Sequence, residues 1–339
     1  MIQAQRVEGS DGRQWIKIQF KPNQVYQSIL RRMRAIWIPH AQAWALPYEK
    51  RAEFEQRLGD YLIVWTDEAG DGSGGIDENT IPSKPIVEGY DVEYDAEGNI
   101  VSSTGFKTPP FGEFQVKGFN ALVSRKFLIL ADEAGLGKSF QTATAIEALK
   151  KQGKVKHGLV VAKATLLYNW RDEIHKHTYE RAVIAQGTAK QRYKLYAELA
   201  HRDDWTFLII SYEMFRQDVS NLQLLDNWKS LDFLIADEAH KIKNPRSHIG
   251  TAIHYLPFKY RYILTATPLP NSPLEAYNYL RLGRAIDMNW FEFENRYAVK
   301  GGYGGKDYVG FKNIRELKAI IQGNMLRRRK ADKLKELPA

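Results

Sequence analysis

Five short apolar runs punctuate the chain beyond its first third: residues 127–131, 158–162, 207–210, 233–236 and 260–265. Runs that are apolar without alternation suit strands covered on both faces, and the stretches between them are long enough for crossover helices. The pattern predicts an α/β fold built on a doubly wound parallel sheet, an architecture that binds its ligand at the carboxyl ends of the strands. From about residue 275 the pattern turns helical. It is broken by Gly301, Gly302, Tyr303, Gly304 and Gly305, and ends on a basic helix around residues 325–337.

The first 65 residues follow another rhythm. Ile16, Ile18 and Phe20 alternate with Trp15, Lys17 and Gln19, the period of a half-buried strand. Val25, Ile29 and Met33 recur at helical spacing, with Arg31, Arg32 and Arg34 near the other face. Residues 36–38 and 43–47, each with a tryptophan (Trp37, Trp44), read as a hairpin around the turn at 39–42. A second helix near 49–58 and a strand at 61–65 complete a small α+β module. Residues 66–105 contain Gly70, Gly72, Gly74, Gly75, Pro82 and Pro85, so at least their first half reads as a linker. A hairpin over residues 90–103 would turn at 95–99. The expected division is therefore 1–65, 66–105 and 106–339.

Polar strings at the ends of three predicted strands supply the chemistry. Residues 127–131 lead into Asp132-Glu133-Ala134-Gly135-Leu136-Gly137-Lys138-Ser139 and then a helical stretch. Glycines let backbone N–H groups approach phosphates, and the helix N-terminus adds favourable partial charge. Lys138 is placed for the β- and γ-phosphates of ATP and Ser139 for Mg2+. Gly135, Leu136 and Gly137 form the cradle. The strict pattern wants glycine where this chain has Asp132.

After residues 233–236 come Asp237, a carboxylate for the metal, and Glu238, a second carboxylate for the attacking water. His240 is expected to couple this site to the next strand. Thr265 and Thr267 follow that strand and offer two hydroxyls to the same edge; the alternative is a β-branched strand end stopped by Pro268. Gln115, upstream, has an amide that can donate and accept at once, as an adenine edge requires.

Composition narrows the partners. The net charge is +9, yet residues 66–105 hold ten acidic residues and one basic residue, a net of −9, which leaves +18 for the rest. A strongly basic body beside an acidic segment points toward a polyanion. Cysteine is absent, which excludes disulfides and thiolate metal sites. No run approaches the roughly twenty apolar residues of a membrane span, and the start is polar, so neither a membrane nor secretion is expected.

These strings resemble the Snf-type DNA translocases of the second helicase superfamily. The resemblance covers about residues 106–338, the first RecA-type lobe of that family. It rests on Phe114-Gln115-Val116-Lys117-Gly118, residues 132–141, Leu166-Leu167-Tyr168-Asn169-Trp170, residues 237–244, residues 264–271 and Met325-Leu326-Arg327-Arg328. The family tolerates an acidic residue at the position of Asp132; Ala134, Ser139, Ala266 and Pro270 are minor departures. The resemblance implies ATP-driven movement along double-stranded DNA, in the cytoplasm or at the nucleoid or nucleus. It implies DNA-facing roles for Lys163, Asn169, Ser211, Tyr212, Lys243 and Asn244, while Trp170 is either near DNA or core. It further implies a second RecA-type lobe beyond this chain, whose arginines complete the ATP site. Arg327, Arg328 and Arg329 are expected on a helix facing away.

Residues 1–65 resemble the HARP domain of annealing helicases, on Ile18-Gln19-Phe20-Lys21-Pro22 and Ala43-Trp44-Ala45-Leu46-Pro47. Arg31, Arg32 and Arg34 near the hairpin tryptophans, with the acidic tether behind them, point to a module that selects DNA geometry, forked against plain duplex. Trp37 and Trp44 have two possible uses, stacking on unpaired bases or packing across the hairpin. An RNA helicase and a non-hydrolysing DNA-structure module or nucleotide switch are the competing functions.

Overall fold

The computed structural model describes residues 2–8, 13–20, 24–58, 63–65, 75–266, 272–301 and 307–333. The chain divides into two compact units. One comprises Met1–Gly74, Leu269–Ala276 and Met288–Gly323; the other comprises Gly75–Pro268, Tyr277–Asp287 and Asn324–Ala339.

The N-terminal module contains β1 (Ile2–Glu8), β2 (Gln14–Phe20), α1 (Gln24–Arg32), β3 (Ile36–Ile38), β4 (Ala43–Pro47), α2 (Arg51–Leu58) and β5 (Ile63–Trp65). Its sheet runs β3-β4-β2-β1-β5, antiparallel except where β1 meets β5. The alternation of β2 buries Ile16 and Ile18 against Tyr26, Leu30, Met33, Leu46 and Phe54. Trp37 and Trp44 lie directly opposite across β3 and β4, ring centroids 5.5 Å apart. Trp44 is core, so cross-strand packing accounts for it, while Trp37 keeps an exposed face. Residues 61 and 62 of the predicted last strand lie outside the described residues.

In the second unit, β6 (Asp91–Tyr94) and β7 (Ile100–Thr104) pair around a turn in which the Asp95 carboxylate accepts from the Asn99 N–H at 2.7 Å. Ile81, Val87, Tyr90 and Val92 pack into the same core as Phe106, Phe119 and Phe140, and the buried Asn120 amide bonds the backbone at Pro82, Lys84 and Ile86. Residues 75–105 therefore pack as part of this unit.

The elements that follow are α3 (Glu113–Ser124), β8 (Phe127–Leu130), α4 (Lys138–Lys151), β9 (His157–Ala162), α5 (Leu167–His177), β10 (Ala182–Ile184), α6 (Ala189–Ala200) and β11 (Phe207–Ser211). Next come α7 (Tyr212–Lys229), β12 (Leu231–Asp237), α8 (His248–Ala252), β13 (Tyr260–Leu264) and α9 (Ala276–Leu282). The chain then contributes α10 (Trp290–Tyr297), the antiparallel pair β14 (Ala298–Gly301) and β15 (Asp307–Phe311), and α11 (Ile314–Gly323) to the first unit. It ends in the second unit with β16 (Met325–Leu326) and α12 (Lys330–Lys333).

The main sheet is parallel throughout, in the order β10-β11-β9-β12-β13-β8-β16. This is the RecA-type lobe. All five predicted strands are present, with β10 and β16 added at the edges. The basic helix expected around residues 325–337 is replaced over its described part by β16, an extended segment and the short α12. Met325 and Leu326 find burial beside β8, so they extend the sheet instead of turning helical. Parallel register aligns the strand ends that matter: Asp237 pairs with Leu264, and Leu264 with Leu130.

Candidate active site

The phosphate loop leaves β8 and enters α4 through two left-handed glycines, Gly135 (φ 89°) and Gly137 (φ 72°). At Gly137 the backbone angle favours glycine, and a Cβ would also lie 2.3 Å from Gln115 Nε2, so that amide would have to move aside. Lys138 opens α4 beside the half-buried Ser139, and its ammonium donates to the carbonyls of Asp132 at 2.7 Å and Glu133 at 3.1 Å. Burial pushes the Lys138 ammonium below its ordinary range, and the charges of Asp132, Asp237, Glu238 and Glu133 oppose that shift. The loop's lysine and the acidic pair thus share one electrostatic site. Leu136 is buried beneath the loop, and its carbonyl accepts from Gln141 Nε2 at 2.8 Å. Gln115 is itself engaged at both ends: its Oε1 accepts from the Phe111 N–H at 2.7 Å, and its Nε2 lies 3.5 Å from Leu136 O. Adenine pairing would have to exchange those bonds.

Asp132 explains its own departure from the glycine pattern. It is fully buried, and its Oδ1 accepts from Arg328 Nε at 3.0 Å and from the Arg328 N–H at 3.1 Å. Its Oδ2 accepts from Arg328 Nη2 at 2.5 Å and from Gln141 Nε2 at 3.3 Å. The same guanidinium donates to Gln141 Oε1 at 2.7 Å and to the Phe114 carbonyl. The Glu133 N–H donates to Arg328 O, closing the contact from the backbone side. The expectation that Arg328 faces away on a helix is therefore corrected. It is buried under the phosphate loop, because a fully buried carboxylate requires a paired cation.

Asp237 ends β12, and Trp170 Nε1 donates to its Oδ2 at 2.8 Å. Its Oδ1 accepts from the Glu238 N–H at 2.9 Å, and its carbonyl accepts from the Tyr212 hydroxyl at 2.7 Å. Burial raises the Asp237 carboxyl above the usual range, against the Trp170 bond, which lowers it. Glu238 sits at φ 52°, a left-handed conformation that a side chain seldom adopts and that clusters at functional sites. Its Oε2 lies 3.3 Å from His240 Nδ1 and 3.6 Å from Lys163 Nζ. Thr265 is buried, and its N–H donates to Leu130 O at 3.2 Å, tying β13 to β8. Thr267 lies outside the described residues.

The residues expected to face DNA divide by exposure. Asn169 and Asn244 are exposed, Lys163 and Lys243 are half-buried, and Arg31, Arg32 and Arg34 are exposed in the N-terminal module. The Asn244 amide oxygen accepts from the Arg246 N–H at 2.9 Å, so this residue also shapes its own turn. Ser211 and Tyr212 are corrections. Both are buried, Ser211 as the N-cap that accepts from the Met214 N–H at 3.2 Å, and Tyr212 beneath Asp237. Ser211→Ala is expected to cost about 1 kcal/mol of stability through the lost cap and to leave DNA affinity unchanged. Chemical denaturation beside a duplex titration checks this; a selective loss of DNA affinity would restore Ser211 as a contact.

Comparison with known proteins agrees with this geometry. A family signature described as SNF2-related domain matches residues 47–339. The chain is 32% identical over 226 residues to the ISWI chromatin-remodeling complex ATPase ISW1 of Saccharomyces cerevisiae, across 65% of this chain and 19% of that protein. It is 30% identical over 246 residues to the human SWI/SNF-related matrix-associated actin-dependent regulator of chromatin subfamily A member 1, across 70% of this chain and 23% of that protein. The chain thus spans about a fifth of the length of these relatives. Among solved structures it is similar to the Sulfolobus solfataricus SWI2/SNF2 ATPase core in complex with dsDNA, at 28% identity and a TM-score of 0.53, covering 66% of this chain and 46% of that one. On the signature, which matches most of its length, this chain belongs to the SNF2-related domain family.

Proposed function

We propose that this chain is the first RecA-type lobe of an ATP-driven motor that moves along double-stranded DNA and remodels forks or anneals strands. The observation that carries the reading is the parallel register that sets Asp237 level with Leu130, so that the Asp237–Glu238 pair and the loop leading to Lys138 leave the sheet at the same edge. The residues fit a nucleotide. The loop is free of side chains at Gly135 and Gly137, and the two carbonyl bonds of Lys138 are ones that phosphate oxygens can replace. In this reading the glycine-rich loop and the first turn of α4 bind the phosphates, and Lys138 holds the terminal ones. Ser139 and Asp237 would hold Mg2+, which when bound neutralises charge gathering on the phosphates. Glu238 orients the attacking water, its carboxylate lying beside His240 and Lys163. His240 and Thr265 link this edge to the neighbouring strand.

The SWI2/SNF2 core bound to dsDNA supports DNA as the partner, as does the +18 charge outside the acidic stretch. The module of residues 1–65, read as HARP-like, selects DNA geometry, with Arg31, Arg32 and Arg34 on phosphates. Deleting residues 1–65 is expected to abolish the preference for forked over plain duplex DNA while retaining a salt-sensitive general affinity. Parallel titrations on the two DNA forms check this. An unchanged preference would assign the module to folding or protein contacts.

A further inference from the structure

We propose that Trp170 is a positioning residue that holds the Asp237 carboxylate in the orientation a bound cation needs. This role rests on the reading of Asp237 as the metal carboxylate of the nucleotide site. Trp170 is the fourth residue of α5, which starts at Leu167, and is 1% exposed, so in this fold it meets no DNA. Its indole N–H reaches 67 residues along the chain to Asp237 Oδ2 at 2.8 Å.

A carboxylate torsion is broad and two-fold, so an unassisted Asp237 would sample many orientations. Here each oxygen has one fixed donor: the indole N–H on Oδ2 and the Glu238 N–H on Oδ1. The Tyr212 hydroxyl, bonded to the Asp237 carbonyl, fixes the backbone behind them. Each oxygen keeps lone-pair capacity for a further partner.

The choice of indole matters. A lysine or arginine in its place would neutralise the carboxylate and compete with a cation. The indole is a donor only and carries no charge, so it orients the group without consuming its attraction for a metal. Its rigid ring, locked by packing, makes it a precise support. Plain core packing would need only the ring; the positioning role needs the N–H.

The test is Trp170→Phe in the full chain, titrated with a fluorescent non-hydrolysable ATP analogue in Mg2+ and in EDTA, and with duplex DNA. We expect about a tenfold weaker analogue affinity in Mg2+, the effect of one lost hydrogen bond to a charged acceptor. Affinity in EDTA and for DNA should not change. Benzothienylalanine at position 170, which replaces the indole N–H by sulfur and keeps the ring's shape, should reproduce this result and guards against a folding artefact. Equal weakening with and without Mg2+, no change at all, or a selective loss of DNA affinity would overturn the proposal. Asp237→Asn separates the two layers. If it abolishes the Mg2+ dependence while Trp170→Phe leaves the affinity in Mg2+ unchanged, the Trp170 role fails and the site reading stands. If the unaltered chain shows no Mg2+-dependent binding, both fail.

Discussion

Lys138→Ala is expected to abolish productive ATP use, in the chain joined to a second RecA-type lobe, while the fold persists. The side chain's ammonium donates to two loop carbonyls, so its loss removes no packed apolar group. What it does remove is the ammonium that opens α4 after the glycine loop, whose charged form Asp237 and Glu238 favour. Phosphoryl transfer rests on such placed charge, and one oriented donor in a reaction site contributes about 10²–10³ in kcat. Glu238→Gln should behave differently. The amide fills the same space and leaves the loop untouched, so nucleotide stays bound while hydrolysis slows. Turnover and analogue binding on both variants check the pair, with a thermal melt to confirm folding. Near-normal turnover in a folded Lys138→Ala protein would sink the assignment.

The second large effect concerns the ion pair under the loop. Arg328→Met is expected to lower unfolding free energy by about 3–5 kcal/mol, because it leaves a fully buried Asp132 carboxylate with no counter-charge, only the Gln141 amide and the backbone N–H of residue 328 as donors. Adding Asp132→Asn should recover part of the loss, since a neutral amide needs no counter-charge. Nucleotide affinity should fall with Arg328→Met even where the chain remains folded, because the guanidinium also joins the Phe114 carbonyl next to Gln115 and the Gln141 side chain of α4. Chemical denaturation of the single and double variants measures both parts. A change below about 1 kcal/mol for the single variant would mean that solvent reaches Asp132 in the native state.

The central sheet was legible because buried parallel strands appear as continuous apolar runs, and β8, β9, β11, β12 and β13 are all such runs. Edge strands are not. β16 is a two-residue pairing whose partner lies almost two hundred residues away, and periodicity carries no trace of it. β1 escaped for a different reason: its inward positions include Ile2 and the small Ala4, too faint an alternation among glutamines. The loop glycines, Lys138 and the Asp237–Glu238 pair could be read directly, since their chemistry is local in sequence. The supports of that site could not. Arg328 reaches Asp132, and Trp170 reaches Asp237, only through the fold. One signal was available: an aspartate in place of a glycine asks for a buried cation. Ser211 and Tyr212 were assigned to DNA from their motif, and burial decides otherwise.

The central claim is that this lobe is the nucleotide-binding half of a double-stranded DNA motor. Its most direct test is ATP turnover by the chain alone and by the chain joined to a second RecA-type lobe, each with duplex DNA and with RNA. An arginine supplied across such an interface contributes roughly 10³–10⁵ in rate in related phosphoryl-transfer enzymes. The account predicts little turnover by the lone lobe and strong stimulation by duplex DNA once the second lobe is present. Vigorous turnover by the lone lobe, or stimulation by RNA rather than duplex DNA, would contradict it.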